Sequence, residues 1–322
     1  MSITVADLGE FGLIAAIRAL LPGDNDIVGN GDDAAVLAAP DGRVVATMDL
    51  LVEGRHFRRD WSSAFDIGCK AAAQNLADVA AMGASPTALL VGFATPGDLP
   101  VSWAEDLARG IAEECARAGA HVAGGDVSSA DSITIAITAL GDLGGREPVT
   151  RGGAQPGDLL AVAGRIGRSA AGLALLAAGR AGAGDRPEPG WLAALVADHR
   201  RPRPPYPCGP EAADLGATSM IDISDGLLAD LGHVADASRV LVDVQTARLP
   251  ADPALRAAAD DLGADWLRWV LTGGEEHALA ATFPAGTGLP GHWSVIGAVR
   301  KGLGVTVDSR PAGGRGGWDH FT

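Results

Sequence analysis

The sequence predicts a two-domain α/β protein. With 322 residues it is longer than one ordinary hydrophobic core accommodates. Hydrophobic residues make up 47% against 20% charged, enough to fill two cores. Short apolar runs of strand character also alternate with stretches of helical period on both sides of a glycine-rich break, Gly144-Gly145 and Gly152-Gly153. That break sets the expected domains at residues 1–148 and 149–322.

In order along the chain, Asp7 to Glu10 reads as a capping box, and Leu8, Phe11, Ile14, Ala15 and Arg18 carry a helical period after it. Residues 33–37 and 43–48 read as two short strands joined by a Pro40-Asp41-Gly42 turn. A helix is expected over 64–82, a strand over 87–93, a helix over 103–117 and a strand over 133–140. The second domain opens with a strand over 158–163 and a helix after Gly167. The proline-dense run 201–207 reads as an extended connector, in preference to a peptide ligand for an SH3-type domain. A buried strand over 220–223, a helix over 226–237 and strands over 279–283, 293–298 and 305–308 complete the pattern.

Charge and motif content exclude several classes. A net charge of −15 disfavours a nucleic-acid partner, and any phosphate handled by such a surface needs cations to mediate. Cys69, Cys115 and Cys208 are too scattered for a disulfide framework or zinc ribbon, and Cys69 and Cys115 read as core residues in helices. No signal-peptide pattern or bilayer-length apolar run is visible, so the expectation is a soluble, cytoplasmic protein with no membrane partner. Lys70 and Lys301 are the only lysines, and neither sits in a P-loop; no protein-kinase signature occurs. The spacing Gly286, Gly288, Gly291 contains Pro290 and opens no helix, so it is a chance match to the dinucleotide motif.

The chemistry resides in aspartates: Asp32 and Asp33 in GDDAAV, Asp49 in TMDLLVEGRHF, Asp78 in NLADVAAMG, Asp126 in AGGDVS, and Asp222 and Asp225 in IDISDG. Asp49 and Asp126 follow apolar stretches, as at strand ends feeding loops. Taken singly, Asp32, Asp33 and Asp126 are also ordinary turn residues, and Asp225 is a good helix N-cap. Asp78 differs, because it sits inside an apolar helical stretch where an unpaired carboxylate is costly. As a set, the aspartates favour Mg²⁺ ligation with phosphate oxygens.

GEFGLI (9–14), GDDAAV (31–36), the segment DLLVEGRHF (49–57), GGD (124–126), DISDGL (222–227), GGEE (273–276) and GWDHF (317–321) together resemble the motif series of thiamine-monophosphate kinases, in order along the chain. The resemblance implies the fold of the aminoimidazole ribonucleotide synthetase-like superfamily. Its N-terminal mixed sheet with helices pairs in a homodimer, and its C-terminal α/β domain completes the nucleotide and substrate site. It implies ATP-dependent phosphorylation of thiamine monophosphate, with several Mg²⁺ ions and ATP as co-substrate. By position, Asp33, Thr47, Asp49, Asp78, Asp126, Asp222 and Asp225 match metal ligands, with Asp49, Asp78 and Asp126 closest to the chemistry. Gly125, Asp126, Arg151 and Ser224 match ATP-binding positions; His56, Glu275 and Trp318 match positions that contact thiamine monophosphate. Ala108 stands where relatives often carry a tyrosine against adenine, and Glu276-His277 stands where many read Asp-Tyr.

That chemistry is coherent with the residues. A phosphate monoester is largely dianionic near neutral pH and already nucleophilic, so the reaction needs positioning and charge neutralisation more than a catalytic dyad. Among rivals, a selenophosphate synthetase leads one to expect a cysteine and lysine near the N-terminus, whereas the first cysteine is Cys69; aminoimidazole ribonucleotide synthetase lacks the GWDHF ending. A non-catalytic nucleotide-binding scaffold would retain mutually repelling carboxylates with no metal to relieve them.

Overall fold

A computed structural model of the chain describes residues 3–21, 34–180, 190–312 and 317. They form two compact units, Met1–Val79 with Ser85–Gly145, and Ala80–Ala84 with Arg146–Thr322.

The first unit begins with α1 (Val5–Arg18), capped by Thr4 and not by Asp7: the Thr4 hydroxyl accepts from the Asp7 amide while the Asp7 carboxylate accepts from the Thr4 amide. Asp7 is therefore the third residue of the box, and α1 kinks at Gly9, where φ is 73°. Four strands follow: β1 (Val45–Val52), β2 (Ser85–Thr95), β3 (His121–Ser129) and β4 (Thr134–Asp142), in the order β1-β4-β2-β3. Only β2 and β3 run parallel. The strand expected over 33–37 is not formed by 34–37, and residue 33 lies outside the described residues. The neighbouring strand starts later than expected and runs to Val52.

Helices α2 (Ala64–Ala81) and α3 (Val101–Ala118) cover one face of this sheet. They meet backbone to backbone: a Cβ on Gly68 would run into the Leu107 carbonyl, and one on Gly110 into the Phe65 carbonyl. Cys69 donates its thiol hydrogen to the Gly110 carbonyl at 3.3 Å, and both Cys69 and Cys115 are core residues, as expected. The opposite sheet face carries Met48, Leu50 and Leu90, which are 57%, 48% and 40% exposed. Met48, Thr138 and Leu90 lie in one cross-strand row, and Leu50, Ala136 and Gly92 in the next.

The second unit holds a seven-stranded mixed sheet. Its strands are β5 (Leu159–Ala163), β6 (Ser219–Asp222), β7 (Leu241–Val244), β8 (Leu279–Phe283), β9 (Trp293–Arg300), β10 (Gly304–Val307) and β11 (Arg310–Pro311), in the order β11-β10-β7-β9-β5-β8-β6. Every residue of β6 and β8 is buried, including the polar Ser219, Asp222 and Thr282. Around the sheet stand α4 (Arg168–Ala177), α5 (Gly190–Arg200), α6 (Cys208–Asp214), α7 (Leu227–Ser238), α8 (Pro253–Leu262) and α9 (Trp266–Thr272). The sequence pattern predicts none of α5, α6, β7, α8, α9 and β11. The 201–207 run carries no helix or strand, as expected, and Gly286 to Gly291 lies in a loop between β8 and β9.

The α2–α3 contact generates a test whose sign is informative. Gly110→Ala gains up to about 1 kcal/mol of helix propensity, but forcing a methyl against a carbonyl costs about 1–3 kcal/mol or more. The expected outcome is a net loss of stability, read as a lower urea midpoint with an unchanged slope. A stabilised variant would show that the two helices can separate without cost.

Candidate functional site

In the first unit the predicted residues fall on β1, α2, the turn after β1, and β3. Thr47 and Asp49 lie within β1, on the face covered by α2, and Asp49 is thus inside its strand and not at its end. The Thr47 hydroxyl donates to Asp78 Oδ2 at 2.8 Å, so the half-buried carboxylate on α2 faces β1. One turn earlier, Asn75 is fully buried; its Oδ1 accepts the Asp49 amide at 2.8 Å and its Nδ2 donates to the Ala71 carbonyl at 2.9 Å. Asn75 fixes α2 to β1 at the residue next to the carboxylates. The argument that singled out Asp78 in its apolar helix applies equally to Asn75, three positions away on the same face.

His56 closes the turn after β1. Its Nδ1 accepts the Val52 amide at 3.0 Å, which puts the proton of the neutral ring on Nε2, while the buried Lys70 donates to its carbonyl at 3.3 Å. Asp126 lies inside β3, the edge strand, and is exposed. By register it aligns with Gly92, Ala136 and Leu50, the face opposite Thr47 and Asp49, so the structure does not draw it into the Thr47–Asp78 contact. Gly125 packs so closely on the Val91 carbonyl that no side chain fits there. Asp33 lies outside the described residues.

In the second unit, two loops run side by side. The Glu275 amide donates to the Ser224 carbonyl at 2.7 Å, the His277 amide to the Ile223 carbonyl at 2.8 Å, and the Ile223 amide to the Ala278 carbonyl at 2.8 Å. Gly274 sits directly on the Ser224 carbonyl. Glu275 and His277 both adopt left-handed φ, 61° and 53°, an uncommon state for residues with a Cβ, which this pairing holds in place.

Asp222 ends β6, buried, with its Oδ2 3.1 Å from His277 Nδ1. The expected capping role of Asp225 is not observed: the residue before α7 is Gly226, with φ 125° and no side-chain cap. A different aspartate serves the loop. Asp230 Oδ2 accepts the amides of Ser224, Asp225 and Gly226 at 3.1, 3.2 and 3.0 Å. Burial, and then the carboxylates of Asp222 and Asp225, push its pKa up to about 7. An acidic residue in the first turn after an Asp-Gly pair is a readable signal for such a cradle. The Gly317 backbone lies close to the Asp225 carbonyl; Trp318 itself is outside the described residues. Arg151 is exposed, with its carbonyl accepting from Ser238 Oγ at 3.0 Å.

Glu276, absent from the predicted set, is buried at the start of α4, where its Oε1 accepts the Ser169 amide at 2.7 Å. Ser169 Oγ lies 3.1 Å from His199 Nδ1, and the same nitrogen is 3.6 Å from Glu275 Oε2. Both contacts use one ring nitrogen, so this is not a nucleophile–base–acid relay. The cysteines are poor nucleophiles as well: burial pushes the Cys115 and Cys208 thiols up to about 12 and about 11.

The donor sets are hard oxygens: Thr47, Asp49 and Asp78 in one unit, Asp222 and Asp225 in the other. The Asp230 shift, caused first by burial, also carries repulsion from the Asp222 and Asp225 carboxylates beside it. That donor chemistry fits Mg²⁺. Among the described residues no helix is long and apolar enough to cross a membrane.

Comparison with known proteins extends these findings. A family model described as AIR synthase related protein, N-terminal domain, matches residues 31–143. Thiamine-monophosphate kinase of Mycobacterium tuberculosis is 47% identical over 321 residues, covering 99% of this chain and 93% of that protein. The Corynebacterium glutamicum protein of the same name is 44% identical, covering 99% and 95%. Among solved structures, thiamine-monophosphate kinase from Stenotrophomonas maltophilia superposes with a TM-score of 0.82 at 33% identity, over 93% of this chain and 96% of that one. A structure described as AaThiL complexed with AMPPCP and TMP gives 0.80 at 32% identity, over 98% of each.

Glu276 yields a pH test. Burial raises its folded pKa to about 8 from an ordinary 4.5. The folded state therefore holds a proton that the unfolded chain releases, and the associated stability, present at low pH, is lost as pH rises towards 8. In thermal melts at about pH 5, 6, 7 and 8, Glu276→Gln is expected to show a shallower fall in Tm than the wild type. Parallel curves would mean that Glu276 is ionised throughout.

Proposed function

The chain belongs to the thiamine-monophosphate kinase family, and from that membership we infer that it transfers the γ-phosphoryl group of ATP to thiamine monophosphate, forming thiamine diphosphate. The observation that carries this is the match along 99% of the chain to a protein of that name at 47% identity. The hard-oxygen sites built on β1, α2 and the end of β6 support the same reading.

We propose that Asp33, Thr47, Asp49, Asp78 and Asp126 in the first unit, and Asp222 and Asp225 in the second, hold Mg²⁺, and that residues 1–148 are the ATP/Mg-binding domain and 149–322 the second domain. Bound there, Mg²⁺ supplies the charge neutralisation that lets two anionic substrates approach. The chain's own residues position the reactants. Asn75 holds the Asp49 backbone to α2, and Thr47 orients the Asp78 carboxylate through its hydroxyl. Asp230 gathers the Ser224, Asp225 and Gly226 amides onto one carboxylate oxygen and so braces the loop that carries Ser224 and Asp225. Arg151 projects from an anchored backbone, a suitable arrangement for a guanidinium fork on phosphate. Gly125, Asp126 and Ser224 complete the nucleotide contacts in this reading. His56, Glu275 and Trp318 contact thiamine monophosphate, Trp318 offering the ring best suited to a thiazolium cation. The acceptor phosphate attacks directly, since it needs no general base.

We further propose a homodimer formed through the open sheet face of the first unit. The row Met48–Thr138–Leu90 and the adjacent Leu50 make an apolar surface that water solvates poorly. The protein is assigned to the cytoplasm in this reading.

Two experiments test these proposals. In an ADP-release assay with thiamine monophosphate, Asp49→Asn and Asp78→Asn are each expected to lower kcat by about 10²-fold or more. Near-normal turnover in both at saturating Mg²⁺ would remove the metal role. In light scattering at micromolar concentration the wild type is expected at twice the 32.5 kDa chain mass and Met48→Glu at the mass of one chain. A monomeric wild type would overturn the dimer.

A further inference from the structure

The proline-dense run at 201–207 delivers the chain to α6 through two tight bonds, Cys208 amide to Pro205 carbonyl at 2.8 Å and Gly209 amide to Tyr206 carbonyl at 3.2 Å. Nothing in phosphoryl transfer uses this end of the second unit. Yet α6 presents Cys208 and Glu211 one turn apart on a single face. Opposite them stands His292, just before β9. Its Nε2 lies 2.6 Å from Glu211 Oε2, and ligand atoms of Cys208, Glu211 and His292 all fall within 4.8 Å of one another.

We propose that Cys208, Glu211 and His292 form a binding site for a thiophilic divalent cation of the Zn²⁺ class, distinct from the oxygen-only sites assigned to Mg²⁺. One thiolate, one imidazole and one carboxylate are a borderline-soft donor set, suited to Zn²⁺ or Co²⁺ and ill suited to Mg²⁺. Three protein ligands leave a fourth tetrahedral position for water.

The geometry supports the assignment in three ways. Tetrahedral bonds of about 2.0–2.3 Å place ligand atoms about 3.3–3.7 Å apart, so a spread of up to 4.8 Å needs adjustments on the order of 1 Å. The Nε2···Oε2 pair must open by a similar amount, and the His292 side chain is 51% exposed, so its ring has room to turn outward. Finally, Glu211 already has the outer hydrogen bond that metal-binding carboxylates commonly carry: the buried Trp293 donates Nε1–H to Oε2 at 2.9 Å. Trp293 is itself fixed edge-on against Phe283, with ring centroids 5.2 Å apart. Binding forms a metal–sulfur bond as the Cys208 thiol proton leaves to solvent, and a metal–nitrogen bond as His292 gives up the Nε2 hydrogen it holds towards Glu211 and keeps its ring proton on Nδ1. The occupied site ties α6 to His292, the residue that precedes β9.

Co²⁺ reports thiolate ligation directly, through a sulfur-to-metal charge-transfer band that oxygen-only sites cannot produce. Full-length protein freed of metal with a chelator and then titrated with Co²⁺ is expected to develop that band, saturating at one equivalent and abolished by added Zn²⁺. Cys208→Ser should abolish the band, and His292→Ala should weaken Co²⁺ binding at least about tenfold. Zn²⁺ should raise the Tm of the wild type and of neither variant. Should Cys208→Ser fail to fold, the His292→Ala titration decides alone. The proposal is overturned if no band forms at millimolar Co²⁺, if it survives in Cys208→Ser, or if His292→Ala binds Co²⁺ as tightly as the wild type; the cluster is then only a histidine–carboxylate hydrogen bond beside a thiol.

Discussion

Close approach of backbone to backbone is the constraint on which the rest of this structure depends. α2 and α3 touch through Gly68 and Gly110, each lying against a carbonyl of the other helix. That contact helps fix where α2 lies, and with it where Asn75 and Asp78 stand relative to β1. The same device recurs in the second unit, where Gly274 rests on the Ser224 carbonyl and holds the Glu275–His277 loop beside the Asp222–Asp225 loop. Side chains that bear charge are thus aimed by glycines that bear nothing. A methyl group at such a point would shift a carboxylate by an amount that matters to a cation, whose bonds tolerate only a few tenths of an ångström.

Electrostatics then works against the fold at the places where function resides. The chain carries fifteen more negative than positive charges, and its carboxylates are concentrated rather than dispersed. The protein contains the resulting repulsion with neutral donors. Asn75 and Thr47 serve the first unit, and three backbone amides receive Asp230 in the second. Such donors shape the loops without cancelling the negative field that attracts divalent ions.

Much of this was legible in the sequence where one local rule governs. The alternating 133–140 run, the apolar 279–283 run and the long helical period from residue 64 all became the expected elements, because periodicity and burial agree there. Legibility failed where tertiary contacts override local signals. Asp49 and Asp126 looked like strand ends because polar residues usually stop strands, yet pairing carries β1 and β3 past them. Asp225 looked like a cap, but the chain turns through Gly226 instead, and the stabilising carboxylate comes from Asp230 in the next turn. The strained φ values at Glu275 and His277 have no one-dimensional signature at all. The short helices α6 and α9 were missed because seven residues give too little period to read.

The scarcity of lysine has a practical consequence in the folded chain. Lys70 is buried and donates to the His56 carbonyl, whereas Lys301 stands exposed in the turn between β9 and β10. Amine-directed reagents therefore meet a single side-chain target on the native protein, besides the α-amino group. Coupling through that target would attach the molecule to a dye or a solid support at one defined point. The Lys70 amine would react only in molecules that have opened, so its acylation gives a chemical count of the unfolded fraction.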